Sequence, residues 1–203
     1  MNCNKYYIND LISDILNLKI IFVLESPYSS EVIHGHPLAG SSGLSISIFL
    51  QNVYDKIDPD LPIGCQIYNK KINNIGIINC SKYPLDENVY SCLEIRSTKL
   101  IKSLESIRKN QSSKVRKDAF TNKVHQHLLK KFKVKVNKIH SLNTSVVFIP
   151  CGELARNFIA ECKLDDKNKY LKIVPHPSRN QWNYKFYDCY DFMDFISNKL
   201  NEI

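Results

Sequence analysis

The sequence KIIFVLESPY at residues 19–28 is the clearest fold signal in this chain. Its apolar part is continuous rather than alternating, which is typical of a strand buried on both faces of a parallel sheet. Three further runs share this character: IGIINC at 75–80, SVVFIPC at 145–151 and LKIVP at 171–175. Helical spacing of apolar residues occurs before, between and after these runs, at 6–17, 44–56, 88–109, 117–133, 152–162 and 189–200. Strands that alternate with helices form right-handed βαβ units. The sequence therefore predicts an α/β fold, a three-layer α/β/α sandwich with a central, mostly parallel four-stranded sheet.

The composition is that of one globular domain. The 203 residues are 43% apolar and 24% charged, and no apolar run approaches the roughly 20 residues of a membrane helix. The first residues lack the apolar core of a signal peptide. Seven cysteines with no C-x-x-C pair argue against a disulfide framework and against a zinc ribbon. We expect a single domain over residues 1–203, monomeric and cytoplasmic, with no membrane contact.

Positive charge is concentrated in one segment. Residues 99–138 hold 13 of the 28 Lys and Arg residues but only Glu105 and Asp118 as acids, within a chain of net charge +8. A basic helical segment on a nearly neutral body suggests a polyanionic partner such as DNA. The alternative is a solvated helical face, and charge alone does not separate the two. Lys130 and Lys131 are candidate DNA contacts within this segment.

A stretch of polar and turn-forming residues follows every predicted strand. Glu25 follows the first strand, Asn79 lies at the end of the second, Gly152 follows the third and His176 follows the fourth. In open α/β sheets the ligand site lies beyond the carboxyl ends of the strands. We therefore expect a carboxylate, an amide and an imidazole to converge on one cleft.

Taken together, these strand ends resemble the uracil-DNA glycosylase superfamily. The resemblance rests on four stretches in order: LESPY with GHPLAGSSGL at 24–28 and 35–44, IINCSKYP at 77–84, FIPCGELA at 148–155 and VPHPS at 174–178. The layout is most similar to the branch of thermophiles and many bacteria, whose first motif is G-E-x-P-G. Iron–sulfur members of that branch have an N-terminal C-x-x-C, which is absent here. We therefore predict no cluster, no other cofactor and no metal. His34, His36 and His176 are a weaker alternative as zinc ligands, since no acidic cluster accompanies them.

The resemblance implies a role for each motif residue. Glu25 would orient the attacking water and stabilise the positively charged sugar, and His176 would donate a hydrogen bond to the departing base. Asn79 would pair with the edge of the flipped base. Tyr28 would guard the edge of the pocket near position 5 of a pyrimidine. Leu38 stands where the superfamily has a stacking phenylalanine, and this departure suggests a reshaped base pocket.

The resemblance also implies contacts with the DNA backbone. Hydroxyl and N–H groups of Ser41, Ser42 and Ser178 would hold phosphates. The superfamily inserts a wedge into the duplex after the His-Pro-Ser motif, where this chain has Arg179, Asn180, Gln181 and Trp182. A core position is the alternative for Trp182.

Three functions remain open at this point. The first is a monofunctional DNA glycosylase that flips out and excises either uracil or a bulkier modified pyrimidine, for example a hypermodified cytosine of phage DNA. Its role would be DNA repair or antiviral defence. The second is a catalytically silent DNA-binding or damage-sensing module on the same fold. The third is a small-molecule hydrolase on an unrelated α/β fold, in which the basic segment would be incidental.

Overall fold

The computed structural model describes residues 6–111, 118–184 and 189–202 of the chain. Its centre is a parallel sheet of strand order β2-β1-β3. The strands are β1 (Ile20–Leu24), β2 (Ile75–Asn79) and β3 (Val147–Pro150), and every residue in them is buried. The predicted α/β class and parallel sheet are confirmed, and three of the four continuous apolar runs are strands.

The predicted fourth strand is wrong. The run 171–175 forms no strand, and two isolated parallel bridges, Phe148 with Lys169 and Cys151 with Val174, connect this region to β3 and the residue after it. Leu171 and Ile173 are each 65% exposed, so the run is not buried on both faces. Within the described residues the sheet has three strands, not four.

Helices connect and flank the strands. Their bounds are α1 (Ser29–His34), α2 (Ser41–Leu50), α3 (Ile63–Tyr68), α4 (Glu87–Cys92), α5 (Lys99–Lys109), α6 (Ala119–Leu142), α7 (Glu153–Ala160), α8 (Gln181–Tyr184) and α9 (Cys189–Asn201). No helix in the described part of the chain is both long and apolar enough to cross a membrane.

The helix predictions are confirmed to different extents. Helices α7 and α9 match the patterns at 152–162 and 189–200, whereas α6 is longer than predicted and ends at Leu142. The pattern at 88–109 is divided between α4 and α5, and Thr98 caps α5 by accepting a hydrogen bond from the Ile101 N–H.

The pattern at 6–17 is not a helix. Leu11 instead forms an antiparallel bridge with Ile77 of β2, with hydrogen bonds in both directions of 2.9 and 2.8 Å. Ile15–Asn17 forms a short 3₁₀ turn. Pairing with the sheet has overridden the local helical spacing.

Alternate residues of β1 enter two separate apolar clusters. Ile20, Phe22 and Leu24 pack in a cluster with Trp182 and Phe192. Ile21 and Val23 pack in the other cluster, which receives apolar side chains of α5, α6 and α7. Because successive side chains of a strand point to opposite faces, both faces of the sheet are covered.

Two glycines allow α2 and α3 to pack closely against the loop that precedes α2. A Cβ atom on Gly43 would lie 1.9 Å from the Leu38 carbonyl oxygen, and one on Gly64 would lie 1.9 Å from the Pro37 carbonyl oxygen. The Gly64 N–H also donates to the Leu38 oxygen at 3.2 Å. Helices α2 and α3 therefore contact the loop backbone directly, and no side chain lies between them and Leu38.

We predict that Gly64→Ala lowers the free energy of unfolding by about 3 kcal/mol, because the added methyl group overlaps backbone that must move. Chemical denaturation measures the loss. Gly35→Ala is the control: its Cβ meets no atom within 4 Å. The left-handed backbone conformation of Gly35 disfavours alanine, so this variant should lose only about 1 kcal/mol of unfolding free energy. Equal losses in the two variants would contradict the close contact at Gly64.

Candidate active site

A cleft of about 470 Å³ lies beyond the carboxyl end of β1. It brings together eight of the residues singled out from the sequence: Glu25, Tyr28, Leu38, Ser41, Ser42, His176, Ser178 and Arg179. These residues come from both ends of the chain, so the fold alone places them side by side.

Backbone pairing continues past the strand ends and shapes the cleft. The Ser81 N–H donates to the Glu25 carbonyl at 3.1 Å, and the Gly152 N–H donates to the Val174 carbonyl at 2.9 Å. Gly152 has φ of 91°, and a Cβ there would lie 3.4 Å from the His176 Cβ. Glycine at 152 thus lets the His176 loop lie close against the end of β3.

Glu25 is a half-buried carboxyl group in this cleft. Burial raises its pKa to about 7, the positive charge of Arg108 lowers it, and the charges of Asp86 and Glu105 raise it further. Gln111 donates a hydrogen bond from Nε2 to Glu25 Oε2 at 2.8 Å. A carboxyl group that titrates near neutral pH suits general-base chemistry.

Gln111 is itself held in place, and it was not among the residues predicted from the sequence. Its carbonyl accepts a hydrogen bond from Asn157 Nδ2 at 2.8 Å, so α7 fixes the residue that orients Glu25. Arg108 also lines the cleft, where Glu105 binds its guanidinium through two hydrogen bonds of 3.0 and 2.7 Å.

His176 is neutral in this environment. Burial lowers its pKa to about 4. Its Nδ1 accepts a hydrogen bond from the Ser178 N–H at 3.2 Å, which leaves the ring proton on Nε2. The imidazole can therefore donate one hydrogen bond from Nε2 to a developing negative charge without carrying a charge of its own.

Asn79 is placed differently from the other predicted residues. It is completely buried and is not among the residues that line the cleft. Its Nδ2 and Oδ1 atoms have no hydrogen-bond partner within the described residues. Buried amides are rarely left unpaired in native proteins, because the lost hydrogen bonds with water are costly.

An ion pair fixes the backbone of Asn79. Its N–H donates to Asp10 Oδ1 at 3.0 Å, and its carbonyl accepts from Lys135 Nζ at 2.8 Å. Lys135 also binds both carboxylate oxygens of Asp10, at 3.1 and 3.0 Å. Lys135 belongs to the basic segment, yet its charge is used inside the fold at the end of β2.

Glu31 is a second residue that sequence reasoning missed. Its buried carboxylate accepts hydrogen bonds from the backbone N–H groups of Tyr28 and Leu38. Burial raises its pKa to about 7, and these two N–H groups lower it. The available signal was a glutamate three residues after Tyr28, the residue that directly precedes α1, which is the spacing of a capping box.

Glu31 therefore sets the positions of the two predicted pocket residues. Leu38 is 2% exposed with φ of 52°, a left-handed backbone that is rare for leucine. Tyr28 lines the cleft but is 54% exposed. The tyrosine ring accordingly stands at the cleft mouth and does not close over it.

The N-terminus of α2 opens into the cleft. Ser41 and Ser42 are its first two residues, and no side chain caps the helix at Gly40. A Cβ on Gly40 would lie 2.4 Å from Ser30 Oγ, so only glycine fits there. Arg179, exposed and with φ of 56°, lines the same cleft. Free N–H groups at a helix N-terminus beside an arginine favour an anion.

The expected role of Trp182 as a DNA wedge is wrong. Trp182 is 1% exposed, its Nε1 donates to the Pro175 carbonyl at 2.9 Å, and its ring packs against Phe22, Phe49 and Phe192. The tryptophan is a core residue, so a duplex cannot contact it.

The other predicted DNA contacts outside the cleft have mixed placements. Asn180 accepts hydrogen bonds from Ser45 and Asn183, which tie its loop to α2. Gln181 begins α8 and is partly exposed. Lys130 and Lys131 are exposed on α6, but neither lines the cleft.

The histidines and cysteines do not form an arranged ligand set. Among residues 6–111, 118–184 and 189–202, no group of three His, Cys, Asp or Glu side chains is placed to hold a metal ion. His36 stacks on Tyr68 with ring centroids 4.7 Å apart, and His34 bonds to the Ser30 carbonyl. Cys80, Cys151 and Cys162 are buried free thiols.

Comparisons with known proteins add no assignment, since neither a protein-family model nor a curated protein sequence matches the chain.

We predict that Lys135→Met lowers the free energy of unfolding by about 3 kcal/mol. The change leaves the Asp10 carboxylate without its closest cation and the Asn79 carbonyl without its donor, and breaking one side of a buried ion pair is costly. Lys138→Met, at an exposed lysine one turn further along α6, is the matched control and should change little. Equal denaturation midpoints for the two variants would show that the ion pair does not support Asn79.

Proposed function

We propose that this chain is a DNA glycosylase of the uracil-DNA glycosylase type, which flips out a modified pyrimidine and hydrolyses its N-glycosidic bond. The observation that carries the proposal is a carboxyl group with a raised pKa and a neutral imidazole in one cleft at the carboxyl end of β1. The product is DNA with an abasic site. No lysine lines the cleft in the described residues, so the proposal has no Schiff-base lyase step.

The two groups match the two charges that develop during the reaction. As the bond between C1′ and the base breaks, the sugar becomes positive and the base negative. The Glu25 carboxylate stabilises the sugar, orients a water towards C1′ and accepts its proton. The His176 Nε2–H donates to a carbonyl oxygen of the departing base, which leaves as an anion and is then protonated.

The rim of the cleft suits the phosphates that flank a flipped nucleotide. Ser41 and Ser42 offer hydroxyl and N–H groups at the start of α2, Ser178 lies beside His176, and Arg179 supplies positive charge. Contacts of this kind position a DNA strand without reading its sequence. They favour DNA over a small neutral substrate.

Asn79 is the base-recognition residue in this proposal. Its unpaired amide offers two donors and one acceptor, which fit the edge of uracil or, turned over, that of a cytosine. A base has to reach past the present cleft wall to meet it. Because Tyr28 stands at the mouth and does not close over the cleft, we favour a pyrimidine with a substituent at position 5 over bare uracil.

The remaining expectations belong to the same proposal. Apolar clusters on both faces of the sheet support the three-layer α/β/α arrangement of this type of enzyme. A monomeric state, a cytoplasmic location and a role in repair or antiviral defence complete it.

One observation favours a second candidate, the catalytically silent DNA-binding module. Asn79 is closed off from the cleft, and a protein that only senses DNA does not need to hydrogen-bond a base with it.

We predict that Glu25→Gln and His176→Ala each lower base release by about 10²–10⁴-fold, the usual contribution of one positioned acid or base group. Oligonucleotides with uracil, 5-hydroxymethylcytosine or a sugar-bearing cytosine are incubated with protein, and abasic sites are then cleaved with alkali. The exposed residues Glu202 and His34 provide the controls Glu202→Gln and His34→Ala, which should keep full activity. Near-normal release by both site variants removes these residues from the mechanism. DNA binding without release from any substrate establishes the silent module.

We predict that single-turnover base release rises with pH through about 7 and then reaches a plateau. Glu25 has to be ionised and its pKa is about 7, whereas His176 is already neutral above about pH 4. Release near pH 5 should therefore be about a hundredfold below the plateau. Arg108→Gln removes a charge that lowers the pKa of Glu25, so it should move the midpoint to higher pH. A profile that is flat across pH 7, or an unmoved midpoint in Arg108→Gln, would contradict the role of Glu25.

A further inference from the structure

A second concavity, which we call the α5–α6 groove, has a volume of about 400 Å³ and shares no lining residue with the cleft. Its walls are almost entirely apolar. They include Tyr6, Tyr83 and Tyr90 from outside the two helices, Leu100 and Leu104 from α5, and Leu128 from α6. Leu100 is 42% exposed, so the groove is open to solvent.

A row of basic residues follows one edge of this groove. Lys123, His127 and Lys131 all line it, are all exposed, and recur every four residues along α6. At 1.5 Å per residue the row is about 12 Å long. None of the three makes an ion pair or a side-chain hydrogen bond with another residue in the described parts of the chain.

Three other cations of the same two helices are paired within the fold. Arg108 and Lys109 pair with Glu105, and Lys135 pairs with Asp10. Several other lysines of the two helices, among them Lys102 and Lys138, are also exposed, but among the described residues only Lys123, His127 and Lys131 place a basic side chain on the groove.

We propose that the α5–α6 groove binds a short acidic peptide of a partner protein, with large apolar side chains between its carboxylates. An extended chain rises about 3.3 Å per residue, so carboxylates some four residues apart span the row from Lys123 to Lys131. The apolar side chains between them enter the groove, and their burial supplies the main driving force.

Other occupants fit less well. A small organic acid meets one cation and leaves the rest of the row unused. Single-stranded DNA could place phosphates along the row, but the polar edges of its bases would lose their hydrogen bonds against apolar walls. This inference does not rest on the proposed glycosylase activity, and it assigns Lys131 to a protein partner rather than to DNA.

The first test uses a fluorescein-labelled peptide in which glutamate pairs flank leucine and phenylalanine, titrated with the full chain and followed by fluorescence anisotropy. We expect saturable binding that weakens with added salt. Replacing the glutamates by lysine, or the apolar residues by serine, should weaken binding at least about tenfold. The proposal is overturned if the original peptide does not bind at millimolar protein. It is also overturned if the original peptide and the peptide with serine in place of its apolar residues bind equally well.

The second test locates the binding. The double variant Lys123→Glu with Lys131→Glu should weaken the peptide at least about tenfold, because two attractive contacts become repulsive. The double variant Lys102→Glu with Lys138→Glu is the matched control: it changes the net charge equally at exposed lysines that do not line the groove. Leu100→Glu should weaken the peptide as well. All of these positions are exposed, and denaturation midpoints verify that the variants are folded.

Two results of the second test count against the proposal. If the two double variants weaken peptide binding equally, the affinity depends only on the net charge of the protein and not on the groove. Tighter binding of an oligothymidylate that displaces the peptide and is lost with the same groove variants makes the groove a nucleic-acid site.

Discussion

Parallel pairing of β1 on both of its edges is the constraint on which the site depends. Leu24 pairs with Asn79 on one side, and Val23 pairs with Pro150 on the other, so the three strands end nearly level. Whatever follows each strand must emerge at the same edge of the sheet. His176 joins them because Val174 bridges to Cys151, directly after β3. A one-residue slip of β2 would turn Asn79 to the opposite face, and a slip of β3 would displace the His176 loop relative to Glu25.

Burial shifts three titratable groups at this edge towards their uncharged forms. Burial raises the pKa of Glu25 and Glu31 to about 7 and lowers that of His176 to about 4. Between about pH 4.5 and 7 the folded carboxyl groups bind more protons than the unfolded ones, so their contribution to stability falls as the pH rises through that interval. The site thus opposes stability at the pH where Glu25 ionises, as expected for groups kept for chemistry rather than for folding.

The sequence predicted what depends on neighbouring residues and missed what depends on distant ones. Three strands were identifiable because a strand that is buried on both faces has a continuous run of apolar residues. The run at 171–175 has similar composition, but Leu171 and Ile173 face solvent, which no local pattern reveals. Glu25 and His176 were identifiable from their places after apolar runs. Gln111 was not identifiable, because the residue that it contacts, Glu25, lies 86 positions away in the chain. Trp182 was misassigned because its burial in the core depends on tertiary packing.

Helix α6 shows why net charge alone could not locate a partner. Lys135 bonds to the carboxyl end of β2, and Asn143 just beyond the helix bonds to the carbonyl of Leu18, before the amino end of β1. The last part of α6 therefore lies along the sheet, and the half that carries Lys123 and Lys131 extends past the sheet's carboxyl edge. One helix thus carries positive charge in two places: Lys135 lies inside the fold beside Asn79, and Lys123 and Lys131 lie outside it along an apolar groove.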